Sequence, residues 1–127
     1  MENCTVSDLK NMEFDRHIKP LKFIYGGSEI RVSTWTELCR AFVSWLIQQE
    51  YLNKAKLPVP NHANEGKYFI NSEPCHEDLE KNASWLRIGD FYVDTKYNAR
   101  AHIENIIFTL RYLGVFNPNF RITFKRH

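Results

Sequence analysis

Residues 87–115 read RIGDFYVDTKYNARAHIENIIFTLRYLGV. Gly89-Asp90 is typical of a tight turn, and the next residues, through Lys96, alternate like a β-strand. Asn98 fits a helix N-cap, and the apolar residues after it recur at three- and four-residue steps until Gly114. The pattern predicts a strand followed by an amphipathic helix. The helix is expected to direct Ile103, Ile106, Ile107, Leu110 and Leu113 into the core and Arg100, Glu104, Asn105 and Arg111 away from it.

Two further patterns predict a β-hairpin and a second long helix. LKFIYGGSEIRV at 21–32 places two β-type runs around Gly26-Gly27, and glycine readily adopts the positive φ of tight hairpin loops. Thr34 and Glu37 then fit a capping box, and apolar residues at helical spacing continue to residues 51–52. Near the C-terminus FRITFKRH alternates, which predicts a last strand with basic side chains on its wet face.

These elements predict a single α+β domain over residues 21–127, preceded by a short helical or irregular arm at residues 1–20. We expect a small mixed or antiparallel sheet with two main helices packed on one face, because this arrangement buries one stripe of each helix and one side of the sheet. A chain of 127 residues with 14% aromatic side chains is sufficient for one hydrophobic core.

The composition excludes several classes of protein. No apolar run approaches the ~20 residues that span a bilayer, and the first residues show no basic region followed by an apolar one. We therefore expect a cytoplasmic protein without a membrane partner. Cys4, Cys39 and Cys75 form no C-x-x-C pair, which fits neither a disulfide framework nor a zinc site. No phosphate-binding loop or nucleophile elbow occurs, and we predict no cofactor and no metal.

The sharpest enzymatic alternative is the D-x-K pattern of Asp94 and Lys96. On a strand, such a carboxylate can hold a divalent ion while the lysine orients or activates the attacking water, with Asp78 or Asp90 as the second ligand. Strand faces often contain this pattern by chance, so our preferred interpretation places Asp94 in a charge pair on the wet face. The acidic stretch around His76 lacks metal-ligand spacing and is interpreted as a solvated loop. We predict no catalytic residue.

The charge distribution favours a binding role. Residues 1–80 carry nine Lys and Arg against twelve Asp and Glu, whereas residues 81–127 carry eight against three. A basic C-terminal third attracts anions. The predicted nucleic-acid-binding residues are Arg100, His102, Arg111, Arg121, Lys125 and Arg126. A second set is expected to bind an anion at the start of the second helix, where free amides and the helix dipole favour negative charge: Lys96, Tyr97, Asn98 and Arg100.

The order of four segments resembles a little-characterised bacterial domain. These are STWTELC at 33–39, KYFINSEPCH at 67–76, GDFYVDTKYNAR at 89–100 and LRYLGV at 110–115. That domain is found alone or attached to restriction and phage-defence proteins, so the resemblance implies a defence or mobile-element context. It implies an acidic residue at Asp94 and a polar helix cap at Asn98. It implies no fixed lysine at Lys96, which weakens the nuclease alternative, and it supplies no catalytic residue.

The residues predict a non-enzymatic recognition module, and the resemblance implies that it acts in bacterial phage defence or counter-defence. Its partner is expected to be nucleic acid, a nucleotide-type ligand or a defence-system protein. A metal-dependent nuclease is the first alternative. The second is a homo-oligomeric adaptor that uses Trp45, Ile47 and Phe108 as an apolar contact between copies.

Overall fold

Two helices and two antiparallel sheets make up the computed structural model, which describes residues 2–5, 18–25, 27–63, 66–77, 79, 83–115 and 121–126. The first sheet contains, in spatial order, β1 (Glu2–Thr5), β8 (Arg121–Arg126), β2 (Ile18–Tyr25) and β3 (Ser28–Arg31). The second contains β4 (Val59–Pro60), β5 (Tyr68–Asn71), β7 (Phe91–Asp94) and β6 (Trp85–Ile88). The helices are α1 (Trp35–Gln48) and α2 (Ala99–Tyr112), with a short 3₁₀ helix at Lys54–Lys56. The α+β class is confirmed, and the strands divide between two sheets.

Helix α1 begins at its predicted cap. The Thr34 hydroxyl accepts a hydrogen bond from the Glu37 backbone N–H at 3.0 Å. The Glu37 carboxylate in turn accepts from the backbone N–H of Ser33 at 2.8 Å, one residue before the cap amide that the capping box predicts. The helix ends at Gln48, earlier than the sequence predicts, and Glu50 then adopts a left-handed φ of 61°.

Helix α2 begins at its predicted cap and ends before the predicted glycine. The Asn98 side-chain oxygen accepts from the Ala101 backbone N–H at 2.8 Å, and Gly114 follows the helix with a φ of 68°, where glycine is favoured. All five predicted core residues of this helix are buried. The outward position expected for Asn105 is wrong, because its side chain is buried and its oxygen accepts from the His62 backbone N–H at 2.9 Å.

Hairpins form at both predicted turns. Strands β2 and β3 pair on either side of Gly27, whereas Gly26 lies outside the described residues. Strands β6 and β7 pair across Gly89-Asp90, so the residues before that turn form a strand that the sequence pattern missed. The strand predicted to reach Lys96 ends at Asp94.

The expectation for the N-terminal arm is wrong at both ends of that segment. Residues Glu2–Thr5 form β1 and pair antiparallel with β8, and β2 already begins at Ile18. Strand β1 gives the backbone N–H and C=O groups on that side of β8 the ladder partners that an edge strand lacks. Residues 6–17 lie outside the described residues.

Aromatic side chains join the first sheet to α1. Phe23 on β2 packs edge-on against Phe42 and Trp45 of α1, with ring centroids 6.3 and 5.8 Å apart. Helix α1 also contacts α2 and β6 of the second sheet, so it connects both sheets through one core. Trp45 is 1% exposed and Ile47 packs partly buried against the core. Trp45 therefore cannot serve as the apolar contact between copies that the adaptor hypothesis requires.

Candidate functional site

The outer side of the first sheet collects basic residues from three strands. Directly opposed residues of an antiparallel pair point to the same side of the sheet. The register places Lys22 opposite Arg31, Lys19 opposite Lys125, and Arg121 opposite Ile24. The alternate residues of the same strands are buried on the inner side, Phe23, Ile122 and Phe124 among them. We name the outer set the basic face; its charged residues are Lys19, Lys22, Glu29, Arg31, Arg121 and Lys125.

The basic face concentrates positive charge. Its five cations face one carboxylate, a net charge of +4, although the whole chain carries only +2. All six residues except Lys22 are exposed. Lys22 is partly buried, and its ammonium lies 3.4 Å from Glu29. The rest of the chain is therefore net negative, and the basic face carries more net positive charge than the chain as a whole.

Two pairs on this face oppose like charges directly. Lys22 faces Arg31 across β2 and β3, and Lys19 faces Lys125 across β2 and β8. Like charges in directly opposed positions destabilise a sheet. Charges on an edge strand can be explained by the need to block edge-to-edge pairing, which accounts for Arg31 on β3. Strands β2 and β8 are the two central strands, so this explanation does not cover Lys19 and Lys125.

The structure divides the predicted nucleic-acid-binding residues between several places. Arg121 and Lys125 lie on the basic face. Arg100 and Arg111 are exposed on α2 and line a separate groove. The surface position expected for His102 is wrong, because its side chain is 1% exposed. The side chain of Arg126 lies outside the described residues.

Burial also removes the charge of His102. It lowers the pKa of the imidazole to about 4, against the opposing effects of a hydrogen bond to the Thr95 backbone and the negative charge of Asp94. Nδ1 of His102 has no hydrogen-bond partner within the described part of the chain. The ring is therefore neutral at pH 7 and adds nothing to a phosphate-binding surface.

Three cations of the basic face were missed by sequence analysis. Lys19, Lys22 and Arg31 belong to the net-negative part of the chain, and only the pairing of β2 with β8 and β3 brings them beside Arg121 and Lys125. The available signal was that the hairpin strands carry Lys and Arg at positions whose neighbours are apolar. That signal shows which residues point outward but not which strands are neighbours.

A buried carboxylate occupies the end of β7. Asp94 is fully buried, and one of its oxygens accepts from the backbone N–H groups of Ser84 and Lys96, both at 3.0 Å. The other oxygen lies 3.0 Å from His76 Nε2 and accepts from the Tyr97 hydroxyl, also at 3.0 Å. Four protein donors therefore surround this carboxylate, as a buried charge requires.

The backbone fixes the tautomer of His76. The Tyr68 backbone N–H donates to His76 Nδ1 at 2.9 Å, so Nδ1 carries no proton. A neutral imidazole then has its proton on Nε2 and donates it to Asp94. His76 is 3% exposed, so the interpretation of this residue as part of a solvated acidic loop is wrong.

This geometry does not support the nuclease alternative. The wet-face position expected for Asp94 is wrong, and both of its oxygens are engaged by protein donors rather than open to a metal ion. Asp90 is exposed in the β6–β7 turn, Lys96 is exposed, and Asp78 lies outside the described residues. No three His, Cys, Asp or Glu side chains of the described residues are grouped so that they could hold a metal ion.

The residues of the predicted anion site point in different directions. The Tyr97 hydroxyl accepts from the Asn61 side-chain amide at 2.7 Å and donates to Asp94. Burial raises the pKa of this hydroxyl, and the Asp94 charge acts in the same direction. Asn98 caps α2, and Arg100 Nε donates to Glu104 at 2.8 Å. Lys96 is exposed, so these four side chains do not converge on one anion.

Comparisons with known proteins give no further guidance. No known family matches this chain, and no significant similarity to a curated protein or a solved structure is found. Within the residues that the structure describes, neither helix is long and apolar enough to cross a membrane.

Proposed function

We propose that this protein is a non-enzymatic recognition module that binds nucleic acid through the basic face. The observation that carries the proposal is the direct opposition of Lys19 and Lys125 on the two central strands of the sheet, with Lys22 opposite Arg31 on the neighbouring edge strand as a second such pair. Their repulsion costs stability in the free protein. Phosphate groups placed over the face would offset it, because the opposed cations then share a neighbour of opposite charge.

The chemistry of the face favours contacts to the phosphate backbone. The other residues on this side in the described register of β2, β3 and β8 are the partly buried Ile24 and the buried Thr123, and neither offers an aromatic ring for base stacking. Lysine and arginine contacts to phosphate position a protein without reading sequence. We therefore expect binding that depends weakly on sequence and strongly on salt.

The biological context rests on the resemblance alone. It implies a setting in bacterial phage defence or counter-defence, and in our proposal the module acts in the cytoplasm with nucleic acid as its partner. The physical basis of the proposal is the basic face, so a different biological setting would leave the binding prediction unchanged.

Salt-dependent binding of the protein to labelled DNA and RNA, as duplex and as single strand, tests the proposal. If each of the five cations neutralises one phosphate, the slope of log K against log salt should be about −4.5 for duplex DNA, at about −0.9 per phosphate. The triple variant Lys19→Gln, Arg121→Gln, Lys125→Gln should reduce that slope by about 2 to 3. Fluorescence anisotropy at increasing KCl measures both values.

A matched triple variant separates the effect of the basic face on binding from the effect of overall charge. Arg40, Lys54 and Lys96 are exposed cations outside the basic face, so changing all three to glutamine removes the same charge from other places. We expect this variant to keep most of the wild-type slope. Equal losses in the two triple variants, or no binding at low salt, would contradict the proposal.

A further inference from the structure

A groove of about 330 Å³ runs along the exposed side of α2. Its apolar lining consists of the buried Ile103 and Ile107 and the partly buried Phe108, and Arg100 and Arg111 are the first and last lining residues along the helix. A helix rises 1.5 Å and turns about 100° per residue, so two positions eleven residues apart share a face at a separation of about 16 Å. The groove therefore combines an apolar surface with cations at both ends.

The end of the groove near Arg100 is closed by internal pairing. Arg100 Nε donates to one oxygen of Glu104 at 2.8 Å, and His62 Nε2 lies 2.9 Å from the other oxygen. His62 Nδ1 lies 2.9 Å from the buried Asn105 oxygen, which anchors the imidazole to α2. Both oxygens of Glu104 are thus engaged, and this end forms a wall whose charges are compensated within the protein.

The end near Arg111 has the opposite character. Arg111 is exposed, and its guanidinium has no ion-pair or hydrogen-bond partner in the described ranges. Beside it, Phe108 stacks on Tyr112 with ring centroids 6.2 Å apart and an interplanar angle of 17°. The Tyr112 hydroxyl lies within hydrogen-bond distance of the Lys56 and Pro58 carbonyl oxygens, at 3.2 and 3.4 Å. An aromatic surface held in place therefore adjoins an uncompensated cation.

We propose that this groove binds a small ligand in which one phosphate or carboxylate group is joined to a flat apolar body. The anionic group would pair with Arg111, whose planar fork of donors matches such groups. The apolar body would lie on Ile107 and Phe108. The volume is at the lower end of the range for small-molecule sites, and the single uncompensated arginine fits one anionic group better than a polyphosphate. None of these residues belongs to the basic face, so the proposal stands independently of nucleic-acid binding.

Titration with 2-naphthyl phosphate, followed through the backbone amide resonances of the protein, tests the proposal. The two halves of that probe, 2-naphthol and inorganic phosphate, are titrated separately. We expect the intact probe to shift the amides of Ile107, Phe108 and Arg111 and to bind about tenfold or more tightly than either half, because both contacts are then made at once. Equal affinity of the intact probe and either half would overturn the proposal.

Variants at Arg111 identify the group that holds the anion. Arg111→Gln should weaken 2-naphthyl phosphate by about tenfold and leave 2-naphthol unchanged, whereas Arg111→Lys should retain part of the affinity because it keeps the charge without the fork. The Lys19→Gln, Arg121→Gln, Lys125→Gln variant should bind the probe like the wild type, which separates this site from the proposed nucleic-acid surface. Shifts confined to the basic face, or an Arg111→Gln protein with undiminished affinity, would show that the groove is not the site.

Discussion

At the end of β7 a single carboxylate is surrounded by four donors, whereas on the basic face cations stand directly opposite cations. Asp94 is withdrawn from water, and its charge is compensated within the fold by contacts of 3.0 Å. Lys19 and Lys125 are exposed and stand directly opposite each other, and neither has a carboxylate partner among the described residues. The buried charge requires its partners for the protein to fold. An anion bound over the exposed cations would supply their compensation from outside the fold, and this difference separates a stabilising cluster from the surface for which we propose binding.

Replacing the buried carboxylate should have the largest effect. In Asp94→Asn the new NH₂ group faces either the donors from His76 and Tyr97 or, after a flip, the backbone N–H groups of Ser84 and Lys96. Either rotamer brings donors against donors in a buried site, so we expect a loss of about 3 kcal/mol or more in the free energy of unfolding. Urea denaturation measures the loss.

The exposed carboxylate of Asp90 supplies the matched control. It lies in the β6–β7 turn four residues before Asp94, and Asp90→Asn should change the free energy of unfolding by no more than about 0.5 kcal/mol, as is usual for a surface substitution. A loss of similar size in the two variants would mean that Asp94 is not the centre of a buried network.

The sequence predicted the helices well because their boundaries are set by neighbours in the chain. Thr34 and Asn98 cap the two helices through residues three positions away, and apolar spacing identifies the buried side. It failed at Asp94 because the donors to that carboxylate come partly from distant residues. His76 lies in a segment whose composition indicates solvent exposure, and only the packing of that segment against β5 and β7 brings its ring beside Asp94.

The basic face was predicted only in part, again because some of its members come from distant parts of the chain. Alternation in β8 identified Arg121 and Lys125 as outward residues. Their neighbours on β2 and β3 depend on strand order, which the sequence leaves open. The pairing of β2 with β8 joins residues about one hundred positions apart, and a charge count along the chain cannot show such a cluster.

Acidification should destabilise the fold by a smaller amount, through the buried imidazole of His102. Burial lowers the pKa of His102 to about 4, compared with the ordinary value of 6.5, so between these pH values the unfolded chain binds more protons than the folded one. Stability is then complete above about pH 6.5 and falls as the pH drops toward 4, by up to about 3 kcal/mol from this group. The charged or titratable groups that act on the ring are Asp94 and Tyr97.

Comparison with a variant that does not titrate isolates the contribution of His102 to the loss of stability at low pH. Carboxylates also titrate in this range, so the wild type is compared with His102→Gln by urea denaturation at pH 7 and pH 4.5. Glutamine does not titrate, and the variant should lose less stability on acidification than the wild type. The same loss in both proteins would show that protonation of His102 does not oppose folding.

The smallest expected effect concerns the basic face, where the substitution should stabilise the protein instead of destabilising it. Removing one of two opposed cations, as in Lys125→Thr, should increase the free energy of unfolding by about 0.5 kcal/mol at low salt and weaken nucleic-acid binding.

Threonine also has a high strand propensity, so the single variant does not separate charge from propensity. The double-mutant cycle with Lys19→Thr does, because propensity contributes equally in both backgrounds and cancels from the coupling energy. We expect a repulsive coupling that decreases as salt screens it. Zero or attractive coupling would mean that these two lysines are already compensated in the free protein, and the physical basis for a partner on this face would then be lost.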